Sequence, residues 1–353
     1  MKIFHITRST ILTSGVSAFV AEIASAQAAM GHDVTVVCRW KPEYPLANGA
    51  NYNVVKYFGR LKERPDVVHI EAILSWYMAR AMIWCLWKRI PYVVSPHGGL
   101  MPRVFQKGRI KKSVVWHLLL KHLLRKAKAI CCTSESESDA CKSLGLRGPF
   151  VYSPLGVKLP EVTNNPHTRK NTILFLGRLG EEKGLLDLLS AWKLVAHDGW
   201  TLKLAGPDWR GHKKALEAKI VDDDIIDVVF TGNADSEAKD ELYREASLFV
   251  LPSPMENFSL VVLEALSYGV PVIATTGTPW RELLECRCGW WINPGMESLE
   301  WTLRKALAID DAERCLMGEN GRQLVKEKYS WPIIAGELLK EYCRHVETAR
   351  KSL

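Results

Sequence analysis

Short apolar, β-rich runs recur along this chain, each separated from the next by a stretch long enough for a helix. Residues 3–6, 34–37, 67–70, 92–94 and 129–131 form one series, and 173–176, 202–204, 228–230, 248–251 and 272–274 form a second. The runs are mostly unbroken Val, Ile, Leu, Ala and Phe rather than alternating, as expected of strands covered on both faces. Strands spaced by helices must run parallel, because a short hairpin cannot return the chain to the same edge. The Ala-rich stretch 16–30 is the first such helix. Between the two series lie Pro154, Pro160, Asn164, Asn165 and Pro166, a polar, Pro-containing linker. The fold class is therefore α/β, with two doubly wound, Rossmann-like domains at 1–160 and 167–330. A final helix, 331–353, opens on Trp331-Pro332. The 353 residues suit two domains of ordinary size. Ligands of such sheets bind beyond the carboxyl ends of the strands, so the cleft between the domains is the expected site.

Charge separates the two series. Residues 1–165 carry 23 basic and 10 acidic side chains, whereas the remainder carries 24 and 29. That split argues against a uniformly basic nucleic-acid binder, no nucleic-acid-binding signature is present, and only the first half is suited to an anionic partner. The nine cysteines show no CxxC pair or zinc spacing and read as reduced thiols of a cytoplasmic chain. Arg8 and Glu22 interrupt any signal-peptide core, and Arg80 and Lys121 break the two longest apolar stretches. A soluble or peripheral protein is expected.

Two motifs carry chemistry. After the run 173–176 comes Gly177-Arg178-Leu179-Gly180-Glu181-Glu182-Lys183-Gly184. A Gly-flanked turn that places an Arg and a Lys before a helix suits a diphosphate, because helix-end amides and two cations converge on it. The same pattern also occurs in plain solvated loops, and it is neither a Walker motif nor GxGxxG. The second motif is PSPMENFSLVVLEALSYGVPVIAT, starting at Pro252. Here Glu256 precedes a helix and Glu264 falls inside its apolar stretch, where a carboxylate needs a polar partner. A helix cap at Glu256 and a backbone-bonded Glu264 are the plainer alternatives. His97, in SPHGG after the run 92–94, is either a turn-packing residue or a ligand contact at a strand's carboxyl end.

Together these segments resemble the retaining GT-B glycosyltransferases of the family 4 type over nearly the whole chain. The EX7E pair falls on Glu256 and Glu264, the phosphate turn on GRLGEEKG, the Gly loop on TSGVSAFVAEIASAQAAMGHDVTVV and the mid-chain histidine on SPHGG. The resemblance implies that Arg178 and Lys183 neutralise a donor diphosphate, with Gly177 in their turn. It implies that Glu256 binds sugar hydroxyls with amides around Asn257, Phe258, Ser259 and Leu260, and that Glu264 accepts from ribose. His97 would lie at the sugar's C6 side, and Gly15 would let the first loop approach a substrate. The reaction implied is transfer of a hexose-type sugar from UDP- or GDP-sugar to a glycan acceptor, with neither cofactor nor metal. This chain has Ser14-Gly15 where two glycines are usual, and Ser259 where a glycine often stands. Tuned specificity is the expected result.

The basic half suggests an acceptor. On a helix over 111–128, Trp116, Leu119, Leu120, Leu123, Leu124 and Ala127 share one face. Lys111, Lys121, His122, Arg125, Lys126 and Lys128 take the other, with Lys112 beside them. Trp76, Tyr77, Met78, Met82, Trp84 and Trp87 cluster near Arg80, Lys88 and Arg89. Such basic aromatic surfaces suit anionic headgroups, although an apolar stripe also packs ordinarily into its own domain. The expectation is a lipid-linked acceptor in lipopolysaccharide or polysaccharide synthesis, at the inner face of the membrane. A sugar-nucleotide epimerase and a non-catalytic binding protein are the alternatives.

Overall fold

The computed structural model describes residues 1–9, 15–40, 53–56, 63–73, 75–101, 116–161, 169–195 and 198–351. The chain divides into two compact units, Met1–Gly156 with Trp331–Leu353, and Val157–Ser330.

The first unit is built on a seven-stranded parallel sheet. Its strands are β1 (Lys2–Ser9), β2 (Asp33–Trp40), β3 (Asn53–Lys56), β4 (Val67–Glu71), β5 (Tyr92–Ser95), β6 (Ala129–Cys132) and β7 (Phe150–Tyr152), in the order β3-β2-β1-β4-β5-β6-β7. Every pairing is parallel, with Ile3 opposite Val34 on one side and Val67 on the other. β4, β5 and β6 are buried at every residue, which is why they read as largely apolar runs, with His69, Glu71 and Ser95 as buried polar exceptions. Alternate side chains feed two cores. Phe4, Val68, Ile70 and Val94 face helix α2 (Trp76–Trp87), while Ile3, Val34, Val67 and Val93 face helix α1 (Gly15–Ala29).

The last helix of the chain, Trp331–Lys351, completes the second of these cores with Ile334, Ala335, Leu338, Leu339, Tyr342 and Val346. A period of about 3.6 residues puts these six on one stripe. Gly156, where the chain leaves the unit, lies so close to Trp331, where it re-enters, that a Cβ would sit 2.6 Å from the indole.

The described part of 111–128 is a π-helical turn, Trp116–Leu120, running into helix α3 (Lys121–Leu124). Its apolar stripe belongs to the unit's own core. Trp116, Leu120, Leu123 and Leu124 are all buried there, and Leu119 packs against them. Trp116 is only 2% exposed, so its indole takes no part in any surface. Lys111 and Lys112 lie outside the described residues. Helix α4 (Glu135–Ser143) leads to β7.

The second unit repeats the plan with β8 (Thr172–Leu176), β9 (Thr201–Ala205), β10 (Val228–Gly232), β11 (Leu248–Leu251), β12 (Val272–Thr275) and β13 (Gly289–Ile292), ordered β10-β9-β8-β11-β12-β13. All pairings are again parallel. Helices α5 (Leu185–Leu194), α6 (His212–Asp222), α7 (Ser236–Glu245), α8 (Leu260–Ser267), α9 (Glu282–Glu285), α10 (Met296–Ala308) and α11 (Asp311–Leu324) follow in chain order. Val157 enters the unit by donating its amide to Tyr329 O at 2.9 Å, and Val157 and Ser330 form a parallel bridge. Strand order reverses at β8/β11, as it does at β1/β4 in the first unit. A crevice opens at such a point because the flanking crossovers leave to opposite faces.

Candidate active site

In the second unit, the loops after β8 and β11 meet at this reversal. Glycines set how closely they approach. Gly184 has φ +68, and a Cβ there would lie 2.5 Å from Pro252 O at the end of β11. A Cβ on Gly277 would lie 1.9 Å from Pro254 O, and the Glu256 amide donates to Gly277 O at 2.8 Å. The short helical turn Glu181–Lys183 thereby brings Lys183 against Glu256, Nζ to Oε1 at 2.5 Å. Both side chains are mostly buried.

Arg178 leaves the same turn in another direction. Its guanidinium lies over the Trp209 ring at 4.4 Å and pairs with Glu182 at 3.4 Å. Gly177 donates its amide to Ala205 O at 2.9 Å. A Cβ on the neighbouring Gly206 would collide with Gly177 O. Neither Trp209 nor Gly206 stands out in the sequence.

After Glu256 the chain enters α8. Asn257 is partly exposed, while Phe258 is buried against Trp280 and Tyr329, with Trp280 Nε1 donating to Phe258 O at 2.6 Å. Ser259 caps the helix in the left-handed region, φ 70 and ψ 71, and its side chain makes no capping bond. Its Oγ is buried without a hydrogen-bond partner among the described residues. The first amides of α8, beginning with Leu260, have no acceptor within the helix and form its positive end.

Glu264, one turn further on, is held by side chains. Lys239 Nζ donates to Oε1 at 2.5 Å and Tyr243 OH to Oε2 at 2.9 Å. The backbone partner that was the plainer expectation for Glu264 is not what holds its carboxylate. Burial, and then the charge of Glu264, push the Tyr243 phenol well above its ordinary value, so it stays a donor. Lys239 and Tyr243 are four residues apart on α7 and share a face. That spacing was the only sign of them in the sequence.

In the first unit, His97 follows β5 with φ +50, and its Nε2 lies 2.8 Å from Glu71 Oε2. The Phe19 ring meets the imidazole edge-on at 5.0 Å. The Gly98 amide donates to Glu137, whose other oxygen accepts from the Thr133 amide at 2.8 Å and its hydroxyl at 2.9 Å. Glu71 and Glu137 are fully buried, and both escaped sequence reasoning. Gly15 begins α1, and the loop before it lies outside the described residues. Of the basic residues near α3, His122, Arg125 and Lys126 are exposed, Arg125 donates to Gly145 O at 2.8 Å, and Lys121 is partly covered.

The two halves match known proteins separately. A glycosyltransferase family 4 profile matches residues 13–159, and a glycosyl transferases group 1 profile matches 161–324. Residues 13–159 are a family 4 glycosyltransferase domain and residues 161–324 a group 1 glycosyltransferase domain. An uncharacterised glycosyltransferase of Methanocaldococcus jannaschii is 32% identical over 174 residues, 48% of this chain, and the chain spans 44% of that relative's length. The GDP-mannose:cellobiosyl-diphosphopolyprenol alpha-mannosyltransferase of Komagataeibacter xylinus is 26% identical over 318 residues, covering 86% of this chain and 76% of that one. Among solved structures, Anabaena HepE in complex with UDP superposes with a TM-score of 0.77 at 17% identity, over 96% of this chain and 99% of that one. These glycosyltransferase domains therefore carry the two doubly wound sheets of the GT-B fold.

Proposed function

We propose that this glycosyltransferase is a retaining, metal-independent hexosyltransferase. It would move a sugar from UDP- or GDP-sugar to a lipid-linked glycan acceptor in cell-surface polysaccharide or lipopolysaccharide synthesis. The observation that carries the proposal is the Lys183–Glu256 pair at the strand-order reversal, beside the amino end of α8. A nucleoside diphosphate is a good leaving group once its charge is held. In this reading Lys183 and the first amides of α8 supply that charge where it develops, joined by Arg178 once it turns from the Trp209 ring, and no protein acid is needed to protonate the departing oxygen. Lys183 then exchanges the carboxylate for phosphate, and Glu256 is released to accept from sugar hydroxyls. The C1–O bond to the β-phosphate breaks with its electron pair on the diphosphate. The acceptor oxygen bonds to C1, and its proton passes to the departing phosphate oxygen. Retention of configuration rests on the EX7E resemblance. In the same reading Glu264 accepts from the donor ribose and Lys239, which it holds, meets the neighbouring phosphate.

A peripheral position at the cytoplasmic face of the membrane belongs to the same proposal. The K. xylinus relative is named for a polyprenol-linked acceptor. Among the described residues, no helix is long and apolar enough to cross a membrane. A group of exposed apolar residues suited to a lipid surface lies on α2, where Trp76 and Trp87 are 65% and 74% exposed, with Ile83 and Leu86 between them. Arg80, Lys88 and Arg89 are exposed on the same segment, which carries no acidic residue. Aromatic rings flanked by cations suit anionic headgroups.

A thermal-shift screen with UDP-, GDP- and ADP-sugars tests the donor site, since a bound ligand raises the midpoint by mass action. Silence across the panel overturns the donor reading. Co-sedimentation with phosphatidylglycerol vesicles at low salt, lost on Trp76→Ser with Trp87→Ser, tests the membrane face.

A further inference from the structure

Glu71 ends β4 at the strand-order reversal of the first unit, with no exposed surface. Its two oxygens are divided between histidines from different strands. Oε1 lies 2.8 Å from His5 Nδ1 on β1, and Oε2 lies 2.8 Å from His97 Nε2 after β5. The remaining histidine nearby, His69, approaches Glu71 Oε1 at 3.4 Å, but its hydrogen bonds go to Tyr342 OH through Nδ1 at 2.5 Å and to Ser95 Oγ through Nε2 at 2.7 Å. The far nitrogen of His5 lies 2.8 Å from Gln27 Oε1. His97 Nδ1 is thus the one ring nitrogen of these three histidines with no protein partner among the described residues.

We propose that Glu71 is the positioning residue of His97, holding the ring by its Nε2–H so that Nδ1 is left to face the substrate. This rests on the glycosyltransferase reading above and on the family resemblance, which implies that His97 lies at the sugar's C6 side. An ionised carboxylate only accepts, so a ring nitrogen bonded to it must carry the hydrogen. Burial pushes Glu71 toward the neutral acid, but the adjacent imidazoles of His69, His5 and His97 outweigh it and keep the carboxyl well below its usual range. The backbone needs the same support. His97 at φ +50 and Gly98 at φ +75 make a left-handed pair that a histidine does not adopt freely. The turn is fixed at two points by buried carboxylates, the His97 ring by Glu71 and the Gly98 amide by Glu137. A residue that only packed a turn would not need a fully buried acid on its ring nitrogen.

Nitrogen-15 NMR of histidine-labelled wild-type protein, with the His97 signals assigned by their loss in His97→Gln, reads the ring directly and needs no activity. A proton on Nε2 is expected, and an Nε2 without one overturns the proposal. In the transfer assay, Glu71→Gln should lower kcat/KM by about ten- to a hundredfold, by analogy with the loss when the carboxylate partner of a metal-ligating histidine is removed. Placed on His97→Ala, the same substitution should cost no more than about twofold, because a residue acting through His97 has nothing further to lose. Full multiplication of the two losses would show that Glu71 acts on the fold, and an unchanged rate in His97→Ala would remove the role being supported. If the wild-type protein transfers no sugar from any donor, the functional reading fails, while the NMR result still decides whether Glu71 holds the ring.

Discussion

Lys183 Nζ and Glu256 Oε1 lie 2.5 Å apart, joining the turn after β8 to the loop after β11. In the proposed reaction each side chain holds the other's charge until a ligand divides them, the diphosphate taking the lysine and sugar hydroxyls the carboxylate. Lys183→Ala and Glu256→Gln should each reduce transfer by about a hundredfold or more, the loss typical for one preorganised charge-stabilising group. Circular dichroism should show the fold unchanged. Activity within twofold of wild type in either variant would remove the pair from the reaction.

Gly184 is expected to be the least replaceable glycine of the turn after β8. Gly184→Ala adds left-handed strain to a Cβ 2.5 Å from a carbonyl oxygen, whereas Gly211, at φ +78, has open space around it. Gly211→Ala should therefore carry only the conformational term, about 1–2 kcal/mol. Gly184→Ala should exceed that and also raise the KM for donor, because relieving the clash moves Lys183 away from Glu256. Equal destabilisation of the two variants in urea titrations would contradict this account.

Ser259 points the other way, toward a gain in stability. It holds φ 70 without being glycine, and it buries a hydroxyl with no partner among the described residues. Ser259→Gly removes strain of about 1 kcal/mol and an unsatisfied group of similar size, against about 1 kcal/mol of added freedom in the unfolded chain. A net gain of about 1 kcal/mol, or roughly 2–4 °C in the transition of the second unit, is expected by calorimetry. Ser259→Ala keeps the strain and should gain less.

What could be read from the sequence follows from the range of the interactions. The strands at 67–70, 92–94, 248–251 and 272–274 were legible because a strand covered on both faces is apolar at nearly every position, His69 being the exception. β3, β7 and β13 are short outer strands, which leaves their runs weak. Glu256 and Lys183 could be named because each lies in a local Gly- or Pro-bounded loop. The partners that hold the sites could not. Glu71 reaches His97 only because β4 and β5 are neighbours, and Lys239 reaches Glu264 only because α7 lies beside α8. The stripe from Trp116 to Ala127 shows the complementary limit. Periodicity defines an apolar face but not what covers it, and here the covering is the unit's own core.

Acid should weaken the first unit through His69. Burial pushes its pKa down to about 3, so the folded state keeps the ring neutral while the unfolded chain protonates it near 6.5. Between those values the unfolded state binds more protons, so stability present above pH 6.5 is lost as pH falls, by up to about 1.4 kcal/mol per unit. Glu71 adds to the loss below about pH 4.5, since its folded pKa is also depressed and its anion must be protonated. Thermal unfolding followed from pH 7.5 to 4.5 should show the first unit's transition falling faster than the second's. His69→Gln removes the titrating ring and should flatten that slope, whatever it does to stability at pH 7.5. A slope unaltered by the substitution would mean that another group in the buried network takes up the proton.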